Sequence, residues 1–110
     1  MNLQLSVLQR EHLQWVRQNF PQEDLGDAIF GAVEEIGELA HHYLKRKQGI
    51  RGTHEYHSEE MGDAVADCVI FMATVCDHLG LDYGVLVQQT WEKVRERDWV
   101  KDPENAGQGS

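Results

Sequence analysis

Residues 25–47 read LGDAIFGAVEEIGELAHHYLKRK, and their apolar side chains recur every three or four positions. The recurring residues are Leu25, Ile29, Val33, Ile36, Ala40 and Tyr43. That spacing is the period of an amphipathic α-helix. Three cations, Lys45, Arg46 and Lys47, close the stretch, where the helix dipole favours positive charge. The pattern therefore predicts a long helix over 25–47, with its apolar stripe at a helix–helix contact.

Three more helices are predicted around this one. The first covers about 7–19, opened by a capping box of Ser6 and Gln9. The third covers about 59–79, capped by Ser58 and closed by Gly80. The fourth covers about 83–98, with Asp82 as its N-cap. Since β-branched alternation is missing as well, the sequence predicts an all-α, four-helix bundle-like domain with antiparallel neighbours.

Length and composition fit one such domain. The chain has 110 residues, so a single domain over 1–99 is expected, followed by a polar, disordered tail over 100–110. Two cysteines, Cys68 and Cys76, lie in one apolar stretch and are expected to be reduced core thiols.

The charge balance limits the partners. Ten basic residues stand against nineteen acidic ones, a net charge of −9, which argues against a nucleic-acid binder. No apolar run approaches the roughly 20 residues that span a bilayer, and the first residues lack a signal-peptide pattern. We therefore expect a cytoplasmic protein that binds neither nucleic acid nor membrane.

Acidic residues occur in pairs on two consecutive predicted helices. Glu35 and Glu38 are three positions apart, so they share a helix face, and Glu60 and Asp63 repeat this spacing on the next helix. Asp67 follows one turn later. Two adjacent helices with such pairs can offer four oxygen ligands to a hard cation, and Mg²⁺ prefers oxygen ligands. The alternative is that these carboxylates are ordinary solvated surface residues.

These motifs resemble a known family. The stretch Glu34-Glu35-Ile-Gly-Glu38-Leu39, then a spacer, then Glu60-Met-Gly-Asp63 with Asp67, is similar to the paired E-x-x-E and E-x-x-D motifs of the MazG-like nucleoside triphosphate pyrophosphohydrolases. The stretch from Trp91 to Trp99 resembles that family's K-x-x-x-R element through Lys93 and Arg97. The resemblance covers about residues 25–99 and implies the all-α MazG fold, completed by oligomerisation.

The resemblance also implies a function. MazG-like enzymes use Mg²⁺, for which Mn²⁺ can substitute, to cleave (deoxy)nucleoside triphosphates between the α and β phosphates. The products are the monophosphate and pyrophosphate, and the expected role is removal of unwanted or non-standard nucleotides. The implied metal ligands are Glu35, Glu38, Glu60 and Asp63.

Further roles follow from the same resemblance. Glu34 and Glu35 are the implied catalytic residues, with Glu34 orienting or deprotonating the attacking water. Asp67 would support the metal ligands, and Lys93 with Arg97 would bind the outer phosphates. A homodimer or tetramer is expected.

Two other functions are compatible with the sequence. Glu38-Leu-Ala-His41 fits the Glu-x-x-His element of di-iron or di-manganese carboxylate bundles, although no second such element follows at Glu60. A non-catalytic helical module that binds a protein partner is the other. Trp15 or Phe20 could stack on a base or belong to the core. The histidines His12, His42 and His78 are expected at the surface.

Overall fold

The computed structural model describes residues 4–104. Within that range it contains no strand and four helices. These are α1 (Leu5–Asn19), α2 (Leu25–Gln48), α3 (His54–His78) and α4 (Tyr83–Val94). The all-α class predicted from the sequence is confirmed.

The centre of the fold is an antiparallel hairpin of α2 and α3. Helix α1 packs against α3, and α4 lies on α1 and the end of α3. Within residues 4–104, α2 touches neither α1 nor α4, so the four helices do not close into a bundle within one chain. The predicted tail covers residues 100–110. The structure describes residues 100–104, and residues 105–110 lie outside the described part.

Helix α1 begins two residues before its predicted start, and the capping box predicted from Ser6 and Gln9 is wrong. Gln4 is the N-cap residue, with no capping side chain. Ser6 Oγ instead donates to Asp82 Oδ1 at 2.6 Å. Gln9 Nε2 donates to the Leu81 carbonyl at 2.7 Å, and Gln9 Oε1 accepts from the Tyr83 amide at 2.9 Å. These bonds hold α1 to the α3–α4 connection.

Helix α3 begins five residues before its predicted start at Glu59. The true N-cap is Thr53, whose hydroxyl accepts from the Tyr56 amide at 3.0 Å. Ser58 therefore lies inside the helix, where its hydroxyl donates to the His54 carbonyl at 2.8 Å. His57 lies in the first turn of α3 and is buried against α2.

The other helix ends agree better with expectation. Asp82 caps α4 as predicted, and Gly80 adopts a φ of 70° just after α3. The start of α2 carries a capping box of Asp24 and Asp27 that the sequence analysis did not use. Helix α4 ends at Val94, four residues before its predicted end.

The sequence predicts that the apolar stripe of α2 lies at a helix–helix contact. Within this chain that prediction is wrong, because most of the stripe is exposed to solvent. Its central residues Val33 and Ile36 are 56% and 52% exposed. The buried residues of α2 are Ala28, Ala32 and His42. The small alanine side chains let the backbones of α2 and α3 approach closely, and the larger apolar residues lie on the adjoining face, about 100° round the helix.

Two smaller expectations concern the cysteines and the membrane. Cys68 and Cys76 are both free thiols, as predicted, and Cys76 is buried.

Within residues 4–104, no single helix is long and apolar enough to cross a membrane. Helices α3 and α4 reach that apolarity only as a pair, which is bent by 105°.

Candidate functional site

The two acidic segments lie at the same level of the α2–α3 hairpin. Its antiparallel register follows from two contacts: the Cys68 thiol donates to the Ala32 carbonyl at 3.8 Å, and His42 contacts His57 at 2.9 Å. Counting along both helices from these contacts places Glu38 level with about residue 62. That position lies between the two acids of the second motif, Glu60 and Asp63. The register therefore places the two acid pairs at the same level of the hairpin.

Glu35 is the most perturbed carboxyl of this group. Burial raises the pKa of Glu35 first, and the charge of Asp67 and a hydrogen bond between the two carboxyls raise it further. Glu34 and Glu38 add smaller repulsions in the same direction. Since like charges crowd this point, the site favours either a shared proton or a bound cation.

The described carboxylates are not arranged as a metal-binding site. Glu60 is half-buried, whereas Glu34, Glu38 and Asp63 are exposed. Among residues 4–104, no three His, Cys, Asp or Glu side chains converge closely enough to hold a metal ion. Carboxylates are the oxygen donors that Mg²⁺ prefers, so the donor type fits that ion. The register supplies them on facing turns, and side-chain rotation would be needed to bring them together.

Histidines border the acidic group at its α2 C-terminal side. His42 Nε2 lies 3.7 Å from Glu38 Oε2, whereas the expected partner in the Glu-x-x-His element, His41, is exposed. The prediction that His42 is a surface residue is wrong, because it is 7% exposed against His57. His12 is also half-buried, and its Nδ1 lies 2.8 Å from the Thr74 hydroxyl.

The two predicted phosphate-binding cations do not share a helix face. Lys93 lies in the last turn of α4, but Arg97 lies beyond the helix end, where its amide donates to the Val94 carbonyl at 3.1 Å. The four-residue helical spacing assumed for this pair is therefore wrong. Because α4 and α2 do not touch within residues 4–104, Lys93 does not lie on a helix that packs against Glu35 and Glu38 of the same chain.

Two cavities open beside the acidic group. The larger is about 820 Å³ and is bordered by Glu34, and the smaller, about 380 Å³, is bordered by Asp67. Phe20, Glu23 and Phe71 line both cavities. Cavities of about 300–1,000 Å³ are the usual size of small-molecule sites. Glu34 and Asp67 thus border spaces of that size, whereas Glu35, Glu38, Glu60 and Asp63 line neither cavity.

Aromatic rings line part of both cavities. The rings of His12 and Trp15 are stacked, 5.7 Å apart and inclined by 16°. Phe20 meets Trp15 edge to face at 5.7 Å. Phe71 packs directly on the backbone of Gly31, where a Cβ atom would collide with its ring. The wall offers flat apolar surfaces on which a planar ring can stack.

Glu23 was missed by the sequence analysis. It lies in the short connection between α1 and α2, between Pro21 and Asp24, where no periodic pattern marks it. Its Oε1 atom is inaccessible to solvent and has no hydrogen-bond partner within residues 4–104. Burial raises the pKa of the Glu23 carboxyl, His78 opposes that rise, and Asp27 and Asp24 add to it. A motif search has no signal for such a residue.

Comparisons of this chain with protein-family models, curated proteins and solved structures give no match. The fold and the site define an all-α chain in which two acidic helix segments lie at the same level of a hairpin, with one acid, Glu34 or Asp67, at the border of each of two cavities lined in part by aromatic rings.

Proposed function

We propose that the chain is a Mg²⁺-dependent nucleotide pyrophosphohydrolase of the MazG-like type. It would cleave (deoxy)nucleoside triphosphates between the α and β phosphates, releasing the monophosphate and pyrophosphate. The observation that carries the proposal is the register of α2 and α3, in which Glu38 lies level with the segment between Glu60 and Asp63. Because Glu34 borders the larger cavity and Asp67 the smaller one, one end of a nucleotide could lie near the acidic segments and the other among the aromatic rings.

The metal would be held by the two acid pairs, Glu35 with Glu38 and Glu60 with Asp63. When bound, Mg²⁺ would supply charge neutralisation and polarisation of the phosphoryl oxygens. The perturbed Glu35 supports this role, since a cation would replace the proton that its crowded surroundings favour. Asp67, which hydrogen-bonds Glu35, would hold that ligand in position.

The remaining roles fall to residues at the rim. Glu34 borders the larger cavity and is exposed, so it can orient the attacking water and accept its proton. Lys93 and Arg97 would bind the outer phosphates from a second copy of the chain, because within residues 4–104 α4 makes no contact with α2, the helix that carries Glu35 and Glu38.

Mn²⁺ would substitute for Mg²⁺, since both are hard cations that bind carboxylates. The expected biological role is the removal of unwanted or non-standard nucleotides in the cytoplasm.

The partner is proposed to be a second copy of the chain, as a homodimer or tetramer. The exposed face of α2 carries five apolar residues at heptad-like spacing, which we name the α2 stripe: Ile29, Val33, Ile36, Ala40 and Tyr43. Such spacing is typical of a helix that packs against another helix. Helix α4 adds exposed Val85 and Trp91. Self-association would cover these surfaces and complete the bundle that one chain leaves open.

A screen of nucleoside triphosphates with Mg²⁺ tests the activity. Ordinary and modified triphosphates are incubated with the protein, and pyrophosphate and orthophosphate are measured separately. We expect pyrophosphate, and we expect Glu38→Gln to remove most of it. Orthophosphate as the first product, or no metal-dependent product from any nucleotide, would contradict the proposal.

A further inference from the structure

We infer that two copies of the chain pair through antiparallel α2 helices, so that the basic end of each helix lies at the mouth of the other copy's larger cavity. The inference rests on the self-association in the proposed function and adds its orientation and register. Two observations carry it: the exposed heptad pattern of α2, and the separation of acidic from basic residues along the same helix.

The pairing face of α2 is uncovered in the single chain. Among the helices of residues 4–104, α2 packs on α3 alone. The α2 stripe lies on the adjoining face, and its four larger side chains, Ile29, Val33, Ile36 and Tyr43, are between 42% and 56% exposed. A contiguous apolar stripe at helical spacing marks a surface that another helix covers.

Charge selects the orientation of that second helix. Residues 23–38 contain six carboxylates and no cation, whereas residues 39–51 contain four cations and no acid; the cations are Lys45, Arg46, Lys47 and Arg51. In a parallel pair the acidic halves would lie side by side, as would the basic ends, and like charges repel. An antiparallel pair places the basic end of each helix beside the acidic start of the other. Charge complementarity therefore favours a second copy in the antiparallel orientation.

Side-chain size selects the register. The stripe and its extensions form two rows with a seven-residue spacing, Ile29, Ile36 and Tyr43 in one row and Gly26, Val33, Ala40 and Lys47 in the other. When Ile36 of one copy faces Val33 of the other, Ile29 faces Ala40. In the same register Tyr43 faces Gly26, so each larger side chain meets a smaller one. A shift of one heptad would either place Lys47 against the apolar Ile29 or leave Tyr43 beyond the start of the second α2.

This register brings positive charge to the larger cavity. Counting along both helices places the exposed Lys47 of one copy level with residues 22 and 23 of the other, and both of these residues line the cavity. Within residues 4–104, the cavity lining contains Glu23, Asp27 and Glu34 but no Lys or Arg. The second copy would therefore supply cations that the cavity of one chain lacks, at the place where an anionic nucleotide has to enter.

Cysteine cross-linking between two different variants tests the orientation and the register. Ile29→Cys and Ala40→Cys are prepared separately, mixed to allow exchange, and oxidised mildly. Because residue 29 of one copy faces residue 40 of the other, we expect the mixture to form a disulfide-linked heterodimer on a non-reducing gel. Each variant alone should give no more than the wild type, since the two copies of residue 29 lie about 16 Å apart along the pair.

Two cross-linking results would overturn the inference. Strong cross-links within each variant alone would show a parallel pair, in which each residue faces its own counterpart. A mixture that cross-links no more than the wild type, whose own thiols are Cys68 and Cys76, would show that residues 29 and 40 do not meet.

A charge reversal tests the basic end of the helix. Lys47→Glu places an acid beside the acidic start of the second α2, and a symmetric pair contains this change twice. We expect self-association to become roughly tenfold weaker by sedimentation velocity, and Lys47→Gln to weaken it by roughly threefold. Lys101→Glu makes the same charge change at an exposed residue outside α2 and should stay within twofold of the wild type. Equal dissociation constants for all three variants would contradict the placement of Lys47.

The outcomes separate this inference from the proposed activity. An antiparallel, charge-dependent pair that releases no pyrophosphate with Mg²⁺ would contradict the pyrophosphohydrolase and leave the pairing intact. Pyrophosphate release by a protein that stays monomeric, or in which residues 29 and 40 do not cross-link, would contradict the pairing and leave the activity intact.

Discussion

His42 Nδ1 lies 2.9 Å from His57 Nδ1, and both rings are buried between α2 and α3. His57 Nε2 lies 3.0 Å from the Ile50 carbonyl. A carbonyl only accepts, so His57 donates there. In its neutral form it accepts from His42 Nδ1–H through its other nitrogen. The pair therefore has a defined donor order and fixes the register on which the acidic group depends.

Removing His57 should destabilise the fold. We expect His57→Ala to lower the free energy of unfolding by about 3 kcal/mol, because it empties a buried position and leaves two polar partners unsatisfied. The neighbouring exposed His41→Ala is the control, with a change within about 0.5 kcal/mol. Urea unfolding measures both variants. Equal stabilities would show that the histidine pair contributes nothing to the hairpin.

The crowding around Glu35 should appear as a pH dependence. The pKa of Glu35 is raised in the folded protein above 4.5, so the wild type gains stability below that value. That stability is lost as pH rises through the folded-state pKa. Glu35→Gln cannot ionise, so we expect it to match the wild type in acid and to become the more stable protein towards neutral pH. Unfolding in EDTA at several pH values measures the difference.

The control for this series is Glu11→Gln, which removes an exposed charge from α1. Its stability should follow the wild type at every pH. A constant difference between Glu35→Gln and the wild type across the pH range would contradict the crowded-carboxyl interpretation.

Magnesium should stabilise the wild type through the same acids. Binding at a hundredfold excess over Kd adds about 2.7 kcal/mol, which corresponds to roughly 10–20 °C in Tm for a domain of this size. Glu38→Gln should lose most of that rise, while Glu11→Gln should keep it. Melting curves with EDTA and with Mg²⁺ give the comparison. If the two variants rise equally, the four-carboxylate site does not exist.

The α2 stripe should control self-association. We expect the double substitution Val33→Gln with Ile36→Gln to weaken a dimer by about 4 kcal/mol, since four half-exposed apolar side chains per dimer lose about 1 kcal/mol each, or roughly a thousandfold in Kd. Sedimentation velocity measures the shift towards monomer. Val100→Gln, at an exposed residue outside the stripe, should leave the assembly unchanged. A monomeric wild type would contradict the prediction at once.

The sequence predicted the helices better than the way they pack. Helix α2 was correct to within one residue at its end, because its apolar period and terminal cations are local signals. The start of α3 was wrong because the burial of His57 against α2 is a tertiary effect. Periodicity marked the apolar stripe of α2, but it could not show that the adjoining face, with Ala28 and Ala32, is the one that α3 covers.

The candidate site was predictable only as far as helix spacing reaches. The pairs Glu35 with Glu38 and Glu60 with Asp63 follow from positions three apart, and the register of α2 and α3 places the two pairs at the same level. The pairing of Arg97 with Lys93 failed because α4 ends at Val94, where no Pro or Gly signals an end. The buried, unpartnered oxygen of Glu23 depends on how the short connection between α1 and α2 folds, which no local pattern encodes.

The bonds from Ser6 and Gln9 to the α3–α4 connection have a consequence for the order of assembly. They join residues more than seventy positions apart, whereas α2 and α3 meet across a short turn. Closing the longer loop costs more chain entropy, so we expect the hairpin to form first and α1 to dock last. Since α1 carries Trp15, that final step would complete the aromatic wall of the smaller cavity. We also expect local unfolding to remove this part of the wall first.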